Sequence, residues 1–363
     1  MDKCHKLCGG CPLRELDFAP YKEQKEASFI KILSQIKQEN IPIGAPFFVC
    51  DGSRRRCSFT FIYRKGSLIF GFNQRQSHNI YDITSCHLLT PRINNNIVNI
   101  RQILNKICSY GQVKKGDVWV LDADQGLDVV LEFEQEPGLN ERMDIFEFGQ
   151  EFSDIIRISH RSKAASYAQA LIEKVKPTIN ICGYDILVKA TDFLQPTQMS
   201  QNFLIDTLKR YVGSSSGKFM DLFCGCGTFS YAFANQKNIK IHSVDSSEDL
   251  LSNFTNSIKR NQIHNINVFN KNLFKEAPDE DDLKDVSVVV IDPPRAGAKS
   301  VVNGIYNSIY KPHKIIAVSC NPHTFVNDAN VLINAGYTIS EVIMVDQFTY
   351  SHHFELIACF EQK

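Results

Sequence analysis

Cys320 sits in Val318-Ser319-Cys320-Asn321-Pro322, where a short apolar run ends and a helix can begin at Pro322. A thiol in that place is either a small buried hydrophobe or a nucleophile whose thiolate is favoured by the helix N-terminus. His352-His353-Phe354-Glu355 opens the final apolar run of the chain. His-x-Glu there reads as a fragment of a metal site or as ordinary polar edge sequence. No third ligand follows at suitable spacing, which argues against zinc hydrolase chemistry.

Asp221-Leu222-Phe223-Cys224-Gly225-Cys226-Gly227 ends one apolar run and opens a turn, so that glycine backbone and helix-terminal amides would meet a ligand at the carboxyl edge of a sheet. Asp245 closes the next run, 18 residues past Gly227. A carboxylate at that spacing can hold both hydroxyls of a ribose. Position 230 is Ser230, so the full Gly-x-Gly-x-x-Gly is absent. That favours S-adenosylmethionine, which has no pyrophosphate to cradle, over a dinucleotide. Asp292-Pro293-Pro294-Arg295 follows a further apolar run. Enzymes that methylate exocyclic amines usually place an aromatic residue after the two prolines, and Arg295 in that place argues against such a target.

Twelve cysteines with no export signal suit a reducing compartment, where thiols serve metals or catalysis rather than disulfides. Cys4-x-x-x-Cys8-x-x-Cys11 has the spacing of radical S-adenosylmethionine enzymes, although no strand precedes it and Gly10 stands where an aromatic residue is usual. A zinc site would use the same thiolates.

The elements that must position these groups follow from periodicity. The 363 residues, 43% hydrophobic and 22% charged, suffice for two or three compact units, and no apolar run is long enough for a bilayer crossing. The expected location is the cytoplasm. Formal charge is zero, yet residues 1–115 carry 18 Lys+Arg against 8 Asp+Glu and residues 116–200 carry 7 against 15. A basic first third can hold a polyanion. Residues 17–38 have the three-four spacing of an amphipathic helix. Runs 58–63 and 68–72 form a hairpin about Arg64-Lys65-Gly66-Ser67, runs 118–121 and 129–133 form another, and 179–188 folds back at Cys182-Gly183. Together these predict an antiparallel sheet with helices on one side. From residue 218 short apolar runs alternate with helical segments, at 219–223, 240–244, 266–269, 286–291 and 314–318. That is an α/β doubly wound, mostly parallel sheet. The last two runs, 337–345 and 354–360, are joined too closely for a crossover and should pair antiparallel at its edge. Residues 279–285 read as a solvated acidic loop.

In order along the chain, the glycine segment, 292–297, 319–324 and 346–355 resemble the signatures of the RNA 5-methyluridine methyltransferases, and the resemblance covers nearly the whole chain. It implies a Rossmann-like class I methyltransferase sheet behind an N-terminal iron-sulfur segment and a central α+β domain. The expected boundaries are 1–45 for the iron-sulfur segment and amphipathic helix, 46–189 for the central RNA-binding domain and 190–363 for the methyltransferase domain. It further implies that Phe193-Leu194-Gln195 is the glutamine segment touching the cofactor, with Gln195, Phe223, Gly225, Asp245 and Asp292 forming the S-adenosylmethionine site. Cys4, Cys8, Cys11 and Cys86 match the family's [4Fe-4S] ligands, Cys86 closing the fourth iron. Ala317, Thr197 and Thr349 depart from the usual tyrosine, asparagine and proline. The chain begins at the cysteine cluster, as in shorter bacterial members that lack an N-terminal oligonucleotide-binding barrel.

The chemistry implied is methyl transfer to carbon 5 of a uridine in RNA, with ribosomal RNA favoured over transfer RNA and no obligate protein partner evident. Carbon 5 of uracil is a poor nucleophile, so Cys320 would add to carbon 6 and a base would later remove the carbon 5 proton. Glu355 is the candidate for that base, and His353 is a candidate neighbour to tune it. Arg54-Arg55-Arg56 with Phe59, Phe61 and Tyr63 would hold the displaced RNA backbone. A radical S-adenosylmethionine enzyme and a catalytically inactive RNA-binding protein are the competing readings.

Overall fold

A computed structural model describes residues 7–165 and 167–363. The chain opens with helix α1 (Phe18–Leu33) and a two-residue strand β1 (Phe47–Phe48). A central unit follows: β2 (Arg56–Arg64), β3 (Ser67–Asn73), β4 (Ile80–Asp82), α2 (Pro91–Ser109), β5 (Lys115–Ala123), β6 (Gly126–Glu132), α3 (Leu139–Glu151), β7 (Ile155–Arg161) and β8 (Gln169–Glu173). Its seven-stranded sheet has the order β4-β3-β2-β5-β6-β7-β8. The β2–β3 hairpin turns at Lys65 and Gly66, with φ of 52° and 75°. Two successive positive φ values match the right-handed twist of the strands they join.

Strand β2 alternates strictly. Cys57, Phe59 and Phe61 are buried, while Arg56, Ser58 and Thr60 turn to the opposite, half-exposed face. Phe59 and Phe61 therefore join the core beneath α2, among Ile93, Ile97, Ile100 and Leu104. This corrects the expectation that they hold RNA: a period of two sends every second residue of the run inward. The sheet also departs from a purely antiparallel one, because β6 and β7 are parallel. Helix α3 makes the crossover that a parallel pair requires.

Hairpin β9 (Thr178–Ile181) and β10 (Tyr184–Leu187) turns at Cys182-Gly183 as expected but forms its own two-stranded sheet. Its apolar residues Ile179, Ile181 and Ile186 pack into the core of the C-terminal sheet rather than extending the central one. That sheet is built by α4 (Gln198–Val212), β11 (Gly217–Leu222), β12 (Ile239–Asp245), α5 (Glu248–Arg260), β13 (Ile266–Asn270), α6 (Glu280–Leu283), β14 (Val286–Ile291), α7 (Lys299–Asn307), β15 (Lys314–Ser319), α8 (Pro322–Asn334), β16 (Tyr337–Asp346) and β17 (Glu355–Gln362). The order is β1-β16-β17-β15-β14-β11-β12-β13, with β17 antiparallel to both neighbours and every other pair parallel. Helices α4 and α5 cover one face, and α7, α8 and α1 cover the other.

Helix α1 thus packs on the C-terminal sheet, which also takes β1 onto its edge. It buries Tyr21, Phe29 and Leu33, each such side chain contributing about 1.5–3 kcal/mol of hydrophobic stabilisation. The acidic stretch 279–285 is not merely a solvated loop. Asp279 accepts from the Asp282 amide at 2.9 Å, the Asp282 carboxylate accepts from the Asp279 amide at 3.2 Å, and this reciprocal cap starts α6.

Candidate active site

Where the central sheet meets the carboxyl edge of the C-terminal sheet, a cleft of 340 Å³ opens between Arg54, Arg56, Trp119, Phe193, Arg295 and Cys320. Three guanidinium groups and three aromatic rings (Phe348 is the third) make it suited to an anionic backbone with a stacked base. Arg56 lies 5.8 Å from the Phe193 ring centre. Of the three arginines in the run, Arg55 does not face this cleft. It is 6% exposed and donates to the Gln195 carbonyl at 3.1 Å and the Gln201 side chain at 2.8 Å, while Arg56 donates to the Leu194 carbonyl at 3.0 Å. The basic run therefore also fastens the glutamine segment between the two sheets.

Ser319 on β15 pairs with Leu356 on β17, so Cys320 and Glu355 stand at the next antiparallel position, beside each other at the mouth of the sheet. Glu355 is buried, and the Gln347 side-chain amide donates to it at 2.6 Å. The same amide donates at 2.9 Å to Gln195, whose own amide reaches Asp292 at 3.4 Å. One chain of contacts thus joins Glu355, Gln347, Gln195 and Asp292. Gln347 was not legible from sequence, since an isolated glutamine carries no motif. It is Gln347, rather than His353, that holds Glu355. His353 is exposed and lines the cleft with Phe348 and Arg295.

Burial raises the proton affinity of all three acids here. Asp292 is pushed up to about 7 by burial and by the neighbouring Asp221. Glu355 is raised well above the usual carboxyl range by burial and by Asp292, against the opposing hydrogen bond from Gln347. Cys320 is pushed up to about 12 by burial, Glu355 and Asp292, and Arg295 only partly offsets them. The expected lowering of the thiol by the α8 N-terminus is thus outweighed: half-burial and two carboxylates disfavour the thiolate more than the helix end favours it.

The glycine turn lies on the same edge. Phe223, Gly225 and Gly227 all have positive φ, 62°, 54° and 87°. A Cβ on Gly227 would lie 2.2 Å from the Phe254 ring, whereas one on Gly225 would meet nothing within 4 Å. Gly227 therefore permits close packing, and Gly225 leaves open space in front of its backbone. The Asp245 carboxylate is held in place by three amides, Gly225 at 3.0 Å, Ser246 at 2.7 Å and Ser247 at 3.0 Å. A carboxylate has about four acceptor sites, so one remains on Oδ2 for a ligand hydroxyl. Ser230 occupies the third glycine position because its hydroxyl is used internally, on Asp221 at 2.6 Å and Ser243 at 2.7 Å. Open backbone at Gly225, an oriented Asp245 carboxylate and a serine at the third glycine position fit an adenosyl sulfonium ligand.

Among the cysteines, Cys4 lies outside the described residues. Cys8 bridges to Gln74, and Cys86 is pinned by Asn94, which accepts from its amide and donates to its carbonyl, both at 2.8 Å. Cys8, Cys11 and Cys86 are all half-buried. Among the described residues no three His, Cys, Asp or Glu side chains gather as a metal site. The described part of the sequence-derived ligand set does not close one by itself. Also among the described residues, no helix is long and apolar enough to cross a membrane.

Residues 150–363, more than half of the chain, match the tRNA (Uracil-5-)-methyltransferase family. An uncharacterised RNA methyltransferase of Agrobacterium fabrum is 30% identical over 98% of this chain and 82% of its own length. The 23S rRNA (uracil(1939)-C(5))-methyltransferase of Aeromonas salmonicida is 26% identical over 99% of this chain and 81% of its own. Among solved structures, the Pyrococcus abyssi tRNA (uracil-54, C5)-methyltransferase, in complex with S-adenosyl-L-homocysteine, superposes with a TM-score of 0.73 at 19% identity, covering 99% of this chain and 88% of its own. That likeness establishes the α/β methyltransferase fold.

Proposed function

The chain belongs to the tRNA (uracil-5-)-methyltransferase family, and from that premise we propose that it methylates carbon 5 of a specific uridine in ribosomal RNA through a covalent adduct on Cys320. It is an S-adenosylmethionine-dependent RNA (uracil-C5) methyltransferase. The observation that carries the mechanism is the adjacency of Cys320 and Glu355 at the end of β15 and β17, in a cleft rimmed with arginine and aromatic side chains.

In this reading the Cys320 thiolate adds to carbon 6 of a uracil turned out of its stack, and the electrons of the 5,6 double bond shift onto carbon 5. Bound S-adenosylmethionine supplies an electrophilic methyl group on a sulfonium. Carbon 5 takes the methyl as the methyl–sulfur bond breaks. Glu355 then removes the carbon 5 proton, the electrons of that bond restore the double bond, and the thiolate leaves. A carboxylate whose acid form is favoured by burial is a stronger base than an exposed one, and this suits Glu355 to that step. Cys320, raised in proton affinity, rests as the thiol, gives its proton to solvent in the open cleft before it adds, and is correspondingly a good nucleophile once ionised. Asp245, the backbone at Phe223 and Gly225, Gln195 and Asp292 hold the cofactor, and Arg54, Arg56 and Arg295 hold phosphate.

Ribosomal RNA is favoured over transfer RNA because curated relatives aligned over nearly the whole chain act on 23S rRNA. The proposed location is the cytoplasm. Cys4, Cys8, Cys11 and Cys86 are proposed to hold a [4Fe-4S] cluster on the strength of their spacing and the family resemblance, and no step of the transfer passes through it. The substrate is tested by incubating purified enzyme and methyl-labelled cofactor separately with ribosomal RNA fragments and tRNA transcripts, then mapping 5-methyluridine by mass spectrometry. Label in ribosomal RNA alone is expected. Label confined to tRNA overturns the choice of substrate.

A further inference from the structure

Segment 13–25, just behind the N-terminal cysteines, is tied to loop 346–354, which leads into Glu355. The Leu13 amide donates to the Tyr350 carbonyl at 2.9 Å, and the Arg14 guanidinium lies 4.3 Å from the Tyr350 ring centre. The Tyr21 hydroxyl donates to Asp346 and accepts from the Tyr350 amide at 2.9 Å. Lys25 reaches Asp346 at 2.8 Å and also donates to the His353 carbonyl. Two residues of α1 therefore grip this loop at its start, middle and end.

The cost of this arrangement shows that it is not ordinary packing. Lys25 is 2% exposed and Asp346 1%. A buried ion pair seldom stabilises more than apolar side chains of the same volume, whereas losing one partner strands a charge. Tyr350 is held at a φ of 58°, a conformation that side-chain-bearing residues seldom adopt, at the point where the Tyr21 hydroxyl takes its amide. Gln347, whose amide orients Glu355, directly follows Asp346, and His353 lies two residues before Glu355.

We infer that Tyr21 and Lys25 are positioning residues for Glu355: through Asp346 and the His353 carbonyl they fix loop 346–354, and with it the Gln347 amide that orients the base. Helix α1 is then part of the apparatus for proton removal, although neither residue reaches the cleft. The inference rests on Glu355 being the base.

The test compares Lys25→Met, Tyr21→Phe and Glu355→Gln in the full-length enzyme with RNA substrate and methyl-labelled cofactor. Lys25→Met should lower kcat at least tenfold and Tyr21→Phe about threefold to tenfold, with KM for RNA and cofactor affinity unchanged within twofold. Both should accumulate a methyl-labelled protein–RNA adduct during turnover, because the slowed step is elimination. Tyr21→Phe removes one oxygen and leaves the charges paired, so it decides the matter if Lys25→Met does not fold. Normal kcat per folded molecule in Tyr21→Phe, or a loss confined to KM for RNA, overturns the inference while leaving Glu355 as base if Glu355→Gln traps adduct. Absence of adduct in Glu355→Gln removes the base assignment, and the inference falls with it.

Discussion

Cys320 and Glu355 are cross-strand neighbours, one position beyond the Ser319–Leu356 pair that closes the β15–β17 ladder. The antiparallel return of β17 thus brings a thiol and a carboxylate, far apart in sequence, to one end of a sheet that is otherwise almost wholly parallel. Burial and Glu355 make the thiol harder to ionise, and Asp292 raises both groups.

That coupling predicts how Cys320 responds to pH. With the thiol pushed up to about 12, its alkylation by iodoacetamide in the free enzyme should be slow at pH 8 and climb about tenfold per pH unit, the slope of a group far below its midpoint. Glu355→Gln removes a charge that opposes the thiolate, so it should speed alkylation at any pH where Glu355 is ionised. Mass spectrometry of the Cys320 peptide supplies the rates. A plateau near neutral pH, or slower labelling in Glu355→Gln, contradicts the electrostatics described here.

Stability should depend on pH through Asp221, whose carboxyl is raised from 3.8 to about 7, chiefly by burial. Between those values the folded state binds more protons than the unfolded, so stability falls as pH rises from about 4 to about 7. Asp221→Asn cannot ionise and escapes this loss. The melting temperature of the variant relative to wild type should increase steadily across that window. A constant difference means that Asp221 titrates normally.

Part of this was legible in the sequence and part was not. The glycine turn, Asp245, the strand-end thiol and the antiparallel last pair are local signals, and their positions at strand ends and in the sheet follow from short-range periodicity. The charge of the basic run is visible in the sequence, and its geometry is not. In an extended chain alternate side chains face opposite ways, so Arg54 and Arg56 reach the cleft while Arg55 turns inward to Gln195. Phe59 and Phe61 lie on the inward face of the same strand. Gln347 and Lys25 carry no motif, and their roles appear only when elements more than 300 residues apart, such as Lys25 and Asp346, are folded together.

Cofactor binding tests the ribose assignment. Asp245→Ala should weaken S-adenosylmethionine binding at least tenfold, about 1.4 kcal/mol, as measured by calorimetry. The three amides that now hold the carboxylate would lose their acceptor too, so circular dichroism must confirm the fold. Unchanged affinity removes Asp245 from the site.

The proposed cluster predicts a brown protein when purified without air, with about four irons per chain. Cys86→Ser should lose iron, because the fourth ligand is supplied by the central unit. Stoichiometric zinc without iron in such a preparation contradicts the cluster assignment.

The most direct measurement is the fate of RNA on the enzyme when the base is removed. Glu355→Gln, incubated with substrate RNA and methyl-labelled cofactor, should yield a protein–RNA adduct that survives denaturing electrophoresis and carries the label, because thiolate addition and methyl transfer precede the step it blocks. Glu355→Gln combined with Cys320→Ala should yield none. Formation of 5-methyluridine by Cys320→Ala, or normal turnover by Glu355→Gln, would contradict the account.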